Sequence, residues 1–116
     1  MCIRDSYYSL GLTFQDLGQL ENTVNCYKQV VAIKPDFAAM HNNLGNVYSE
    51  LGELNAAQKS YKKAIAIKSD FVEALYSLGV TYQEQNLIND AIKCYENVIS
   101  IQPNLADAHY LSFIHI

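Results

Sequence analysis

Asn42, Asn43 and Asn46 put three carboxamides into one short stretch, and each offers both a hydrogen-bond donor and an acceptor. That pairing suits the alternating N–H and C=O groups of an extended peptide backbone. Tyr8 and Tyr76 add rings able to cover an apolar side chain. Ser77, Gln83, Glu50 and Glu84 supply a hydroxyl, an amide and two carboxylates. Other chemistries find less to work with. No Cys or His cluster has the spacing of metal ligands. Ser, His and acidic residues lack a nucleophile motif, and no glycine-rich loop follows a strand to hold phosphate. The expectation is a binding surface, with no catalytic residue, metal or cofactor in this segment.

These residues must be positioned by something, and the chain has a regular frame. Gly11, Gly45 and Gly79 recur at a 34-residue step within SLGLTF, NLGNVY and SLGVTY. Tyr27, Tyr61 and Tyr95 keep the same step, as do Val31, Ile65 and Ile99, and Ile33, Ile67 and Ile101. Thr23, Ala57 and Ala91 keep a small side chain at one place, and Pro35 matches Pro103 with Ser69 between them. A repeat of this length is the mark of stacked helix pairs.

Helical spacing runs through each unit. Tyr7, Leu10, Phe14 and Leu17 share a stripe, as do Leu44, Val47, Tyr48 and Leu51. In the second half of a unit Leu54, Ala57, Tyr61, Ala64, Ile65 and Ile67 do the same. Gly18, Gly52 and Asn86 fall where a left-handed residue closes the first helix. Asp36, Asp70 and Asn104 precede the following helix as expected N-caps. Gly11, Gly45 and Gly79 lie inside helices, where glycine costs about 1 kcal/mol against alanine. The expected compensation is close approach to the second helix at Thr23, Ala57 and Ala91, with the tyrosines over the crossing.

The Leu-Gly pair, the aromatic after it, the small residue, the later Tyr and the closing Pro resemble the tetratricopeptide repeat (TPR) family. Tyr7, His41, Leu75 and His109 stand where that family often has Trp, so His41 and His109 are expected to pack there and, two units apart, cannot share an ion. The resemblance implies an all-α fold, a right-handed solenoid of antiparallel helix pairs. The expected units are residues 7–36, 37–70 and 71–104, with 105–110 opening a fourth repeat or capping helix. It also implies a concave face, lined by the first helices, that binds a peptide or protein.

On that face the first unit places Tyr8, Ser9, Leu12, Gln15 and Asp16. The second places Asn42, Asn43, Asn46, Ser49 and Glu50, and the third Glu73, Tyr76, Ser77, Val80, Gln83 and Glu84. From these, Tyr8, Asn42, Asn43, Asn46, Glu50, Tyr76, Ser77, Gln83 and Glu84 are the candidate contacts. The family's clamp for acidic chaperone tails uses lysines, an arginine and asparagines, and only Asn46 fits it. Asp16, Glu50, Glu73 and Glu84 would repel such a tail, so a neutral-to-basic segment is expected. An asparagine ladder like that of O-linked N-acetylglucosamine transferases is matched at Asn43 but broken at Ser9 and Ser77. Three readings follow: an interaction scaffold, the substrate-recruiting arm of an enzyme such as a glycosyltransferase whose catalytic domain lies elsewhere, or pure assembly through stacked solenoid ends.

The termini depart from the repeat. Residues 1–6 and 111–116 resemble the translated ends of a sequencing-library transposase adapter, with Phe113 one base change away. The expectation is a native segment 7–110 from a longer chain, whose apolar ends favour end-to-end self-association. Net charge is −4 over 116 residues. No basic stripe suited to nucleic acid appears, nor any run of membrane-spanning length. Cys2 belongs to the first hexapeptide, while Cys26 and Cys94 lie two units apart, beyond disulfide reach. Reduced thiols fit the cytoplasm.

Overall fold

The computed structural model describes residues 3–102. They form six helices: α1 (Ile3–Asp16), α2 (Leu20–Ile33), α3 (Ala38–Glu50), α4 (Leu54–Ile67), α5 (Val72–Glu84) and α6 (Ile88–Ile101). No strand occurs among the described residues. α1 packs on α2, α3 on α4 and α5 on α6; α2 meets α3 and α4 meets α5 between pairs, and α3 also touches α5. The outcome is an elongated all-α helical solenoid, 45 × 24 × 21 Å. α1 begins inside the first hexapeptide, and Arg4 places its guanidinium 5.8 Å from the centre of the Phe37 ring. Pro103, Asn104, His109 and residues 105–110 and 111–116 lie outside the described residues.

Each first helix stops as its sequence dictates. Gly18 and Gly52 adopt φ of +76° and +80°, and Asn86 takes φ 65° at the matching place. The reversed chain then satisfies helix-end carbonyls: Gln19 N–H donates to Phe14 C=O at 2.9 Å, and Gly18 N–H to Gln15 C=O at 3.0 Å. Glu53 with Tyr48 and Leu87 with Tyr82 repeat this bond. A residue with a side chain is strained at such φ, and asparagine tolerates it best.

The other joint departs from expectation. Asp36 and Asp70 do not cap α3 and α5; the cap positions are Phe37 and Phe71, without any side-chain capping bond. Each aspartate sits one residue early. The cap is instead an apolar anchor: Phe37 packs on the core cluster of Val24, Tyr27 and Met40. Lys34 lies 5.3 Å from the centre of the Phe37 ring, and Lys68 5.2 Å from that of Phe71. Burying a ring at the joint outweighs one polar cap, worth about 1 kcal/mol.

Of the partners expected at the interior glycines, the tyrosines are the ones in closest contact. A Cβ on Gly11, Gly45 or Gly79 would fall 2.6, 2.5 or 2.7 Å from a ring carbon of Tyr27, Tyr61 or Tyr95. The ring itself, rather than Thr23, Ala57 or Ala91, occupies the vacated space. Those three small residues are fully buried nonetheless.

The predicted stripes bury unevenly. Leu44 and Leu78 are 4% and 5% exposed, but their counterpart Leu10 is 45% exposed, and Leu17 is exposed too. α2 and α4 cover the flanks of α3 and α5; no described helix precedes α1. Ile67 was expected on the buried stripe of α4 and is 42% exposed, as Ile33 and Ile101 also are in the main. His41 packs as expected: it is buried, and its Nε2–H donates to the Pro35 carbonyl at 2.9 Å. Cys26 and Cys94 are free and buried.

Candidate functional site

Three tyrosines organise the inner face. Tyr27, on α2, donates its hydroxyl to Gln15 Oε1 on α1 at 3.1 Å. Tyr95, on α6, donates to Gln83 Oε1 on α5. Gln15 and Gln83 hold equivalent places, but the middle repeat has Ser49 there, which is too short to reach. Tyr61 instead donates to Asn46 Oδ1, one helical turn earlier, at 2.6 Å. Asn46 in turn replaces Leu12 and Val80 of the neighbouring repeats. The amide has moved by one turn and the lock has been kept.

A second difference sits beside the first. Tyr8 lies against Tyr27 and Tyr76 against Tyr95, with ring centroids 6.1 and 5.8 Å apart. The middle repeat has Asn42 at that place, so Tyr61 has no covering ring from its own first helix. Both exchanges remove bulk from the middle of the face, and a cleft of about 530 Å³ opens there. Asn46, Ser49, Glu50 and Tyr61 line it from the middle repeat. Tyr76, Ser77, Val80 and Thr81 line it from the third, and Gln15 reaches it from the first.

Of the candidate contacts, Asn46, Glu50, Tyr76 and Ser77 therefore meet at one cleft. The others do not line it. Tyr8 is occupied by its ring contact, and Gln83 holds the Tyr95 hydroxyl. Asn42 is buried, and its Oδ1 has no hydrogen-bond partner. Asn43 is half-buried and Glu84 exposed. Tyr61 and Thr81 form part of the wall although their repeat places read as core. Ser49 opposite a Gln in both other repeats was the signal that could have located the opening.

The electrostatics of the face are negative. Asp16, Glu50 and Glu84 keep the 34-residue step at the last residue of each first helix, and all three are exposed. Their charge reaches the tyrosine hydroxyls. Burial pushes the Tyr61 phenol up to about 12, with Glu84 and Glu50 adding to the rise against a hydrogen bond from Ser77. Burial likewise raises Tyr27 to about 12, helped by Tyr8 and Asp16, and Tyr95 to about 12, helped by Tyr76. Among the described residues no lysine or arginine lines the cleft. Among the described residues no group of three or more His, Cys, Asp or Glu could hold a metal ion, and no described helix is long and apolar enough to cross a membrane.

A family profile described as TPR repeat matches residues 11–52 and 45–86, and one described as Tetratricopeptide repeat matches residues 72–105. No curated protein sequence matches the chain. Among solved structures, a crystal structure of MamA superposes with a TM-score of 0.83 at 26% identity, covering 86% of this chain. This chain spans only 58% of that one. The first TPR of Spaghetti (RPAP3), bound to the HSP90 peptide SRMEEVD, gives a TM-score of 0.83 at 20% identity, covering 92% of this chain and 85% of its own. The second TPR of the same protein, with the same peptide, gives 0.79 at 21% identity, covering 85% and 92%. Helix pairs, the glycine–tyrosine joint and the matched repeats agree: this chain belongs to the tetratricopeptide repeat family.

Proposed function

We propose that this chain is a protein-interaction scaffold that holds an extended, neutral-to-basic peptide segment in the cleft of its middle repeat. The observation that carries this reading is the composition of the cleft wall. Asn46 and Gln15 offer amides, Ser49 and Ser77 hydroxyls, Tyr76 a ring and Glu50 a carboxylate. Such a wall pairs with peptide backbone and favours a cationic side chain over an anionic one. The tyrosine locks use the carbonyl oxygens of Gln15 and Asn46, which leaves their N–H₂ groups as the donors for a ligand carbonyl.

The HSP90 peptide in the two Spaghetti structures carries adjacent acidic residues. An acidic segment of that kind would meet Glu50 here, with Asp16 and Glu84 on the adjoining helix ends. Extended peptides of matched length and basic, neutral or acidic composition, titrated by fluorescence anisotropy, test the reading. Basic and neutral peptides should bind, and acidic ones that carry no aliphatic side chain should not. Tyr76→Ala combined with Ser49→Gln should weaken binding at least tenfold without unfolding the chain. Unchanged affinity in that variant would sink the proposal.

A further inference from the structure

The outer side of the solenoid carries different chemistry. α4 holds Lys59, Lys62 and Lys63 and no acidic residue. Lys59 and Lys63 lie one helical turn apart, where like charges repel. Between α2 and α4 an outward-opening groove of about 490 Å³ is lined by Val31, Ala32, Ala66 and Ile67, with Lys28 contributed by α2 and Lys63 by α4. Neither lysine has an ion-pair or hydrogen-bond partner among the described residues. His41 also borders the groove, but its Nε2–H is already used by Pro35.

Two features set this groove apart. Isoleucine recurs at the place of Ile67 in every repeat, although that place is exposed. Small Ala32 and Ala66 keep the space between α2 and α4 open. The next groove along, lined from α4, α5 and α6, is about 260 Å³. There Asp90 accompanies Lys62 and Lys93, and Asn97 takes the place that Lys63 has in the preceding repeat. The α2–α4 groove therefore joins an apolar lining to two lysines with no acidic residue, whereas its neighbour includes Asp90.

We propose that the α2–α4 groove docks a second kind of segment, one that presents an aliphatic side chain flanked by carboxylates, independently of the concave cleft. The aliphatic group fills the space over Ala32 and Ala66 while the carboxylates pair with Lys28 and Lys63. Charge alone does not carry this, because the whole chain is at −4 and repels an acidic partner at long range. The attraction is local, and it needs both the apolar lining and the two ammonium groups.

The test uses the full chain and the capped hexapeptide Glu-Asp-Leu-Leu-Asp-Glu, followed by backbone and methyl chemical shifts. The largest shifts should fall on Val31, Ala32, Ala66 and Ile67. Lys28→Glu with Lys63→Glu should weaken binding at least tenfold with an unchanged circular dichroism spectrum, and Lys28→Arg with Lys63→Arg should retain it. Tyr76→Ala, in the concave cleft, should leave the affinity within twofold, so this groove stands or falls apart from that cleft. Four outcomes would overturn the proposal: no binding, equal binding of the same peptide with Ser for Leu, shifts centred on Ser49 and Ser77, or concentration-dependent sedimentation abolished by the Glu variants. The last would make a second copy of this chain the occupant.

Discussion

Tyr27 and Tyr95 each lie against a second ring, Tyr8 or Tyr76, whereas Tyr61 has Asn42 at the matching place. All three hydroxyls are nonetheless bonded to an amide of their own first helix. The outer repeats thus spend that surface on tyrosine and glutamine, and the middle repeat leaves it open. What the difference teaches is that the structural lock and the open surface are separable. A one-turn shift of the acceptor, from the place of Ser49 to Asn46, keeps the first while creating the second.

The comparison can be broken most severely at the glycine beneath the middle tyrosine. Gly45→Ala puts a Cβ into the Tyr61 ring, and overpacking of this kind costs about 1–3 kcal/mol. Alanine's better helix propensity recovers up to about 1 kcal/mol, so the variant should melt measurably lower in a thermal scan. An unchanged or raised midpoint would mean that the ring moves aside freely.

Asn46→Ala sharpens it. The buried Tyr61 hydroxyl loses its acceptor, at an expected cost of about 1–3 kcal/mol. Adding Ser49→Gln supplies the acceptor that the outer repeats use, and urea unfolding should then recover most of that loss. No recovery would show that Gln15 and Gln83 owe their reach to something the middle repeat lacks.

The smallest effect is in alkali. Each phenol rises from its ordinary value near 10 to about 12 in the folded chain. The folded state holds its protons more tightly, so this contribution to stability is complete below about pH 10 and is lost as pH climbs toward 12. Ultraviolet titration should show Tyr27, Tyr61 and Tyr95 ionising together with unfolding. Ionisation near the ordinary value with the helices intact would contradict their burial.

Repeat length, helix order, the left-handed stops at Gly18, Gly52 and Asn86 and the packing of His41 were legible in the sequence. Each depends on local chemistry or on periodicity. Asp36 and Asp70 misled because capping propensity is local, while the packing of Phe37 depends on the neighbouring α2. At the candidate site, helical projection placed Asn46, Glu50, Tyr76 and Ser77 on the face where the cleft opens. It could not show that Asn42 would be buried or that Gln83 would be engaged by Tyr95, since both depend on contacts across helices. The locating clue was a broken repetition, Ser49 between Gln15 and Gln83.

The bonds of the Tyr27, Tyr61 and Tyr95 hydroxyls to Gln15, Asn46 and Gln83 each close within one helix pair, while the seam from α2 to α3 is a core of Val24, Val30, Met40 and Leu44. Among the described polar links across seams, Gln85 to Asn55 sits at the exposed rim. Polar bonds have a narrow range of good geometry, whereas aliphatic surfaces slide with little loss. Bending therefore belongs to the α2–α3 seam and stiffness to the pairs. The solenoid is built as rigid links on greased joints, and its curvature is the coordinate that a docked segment would set.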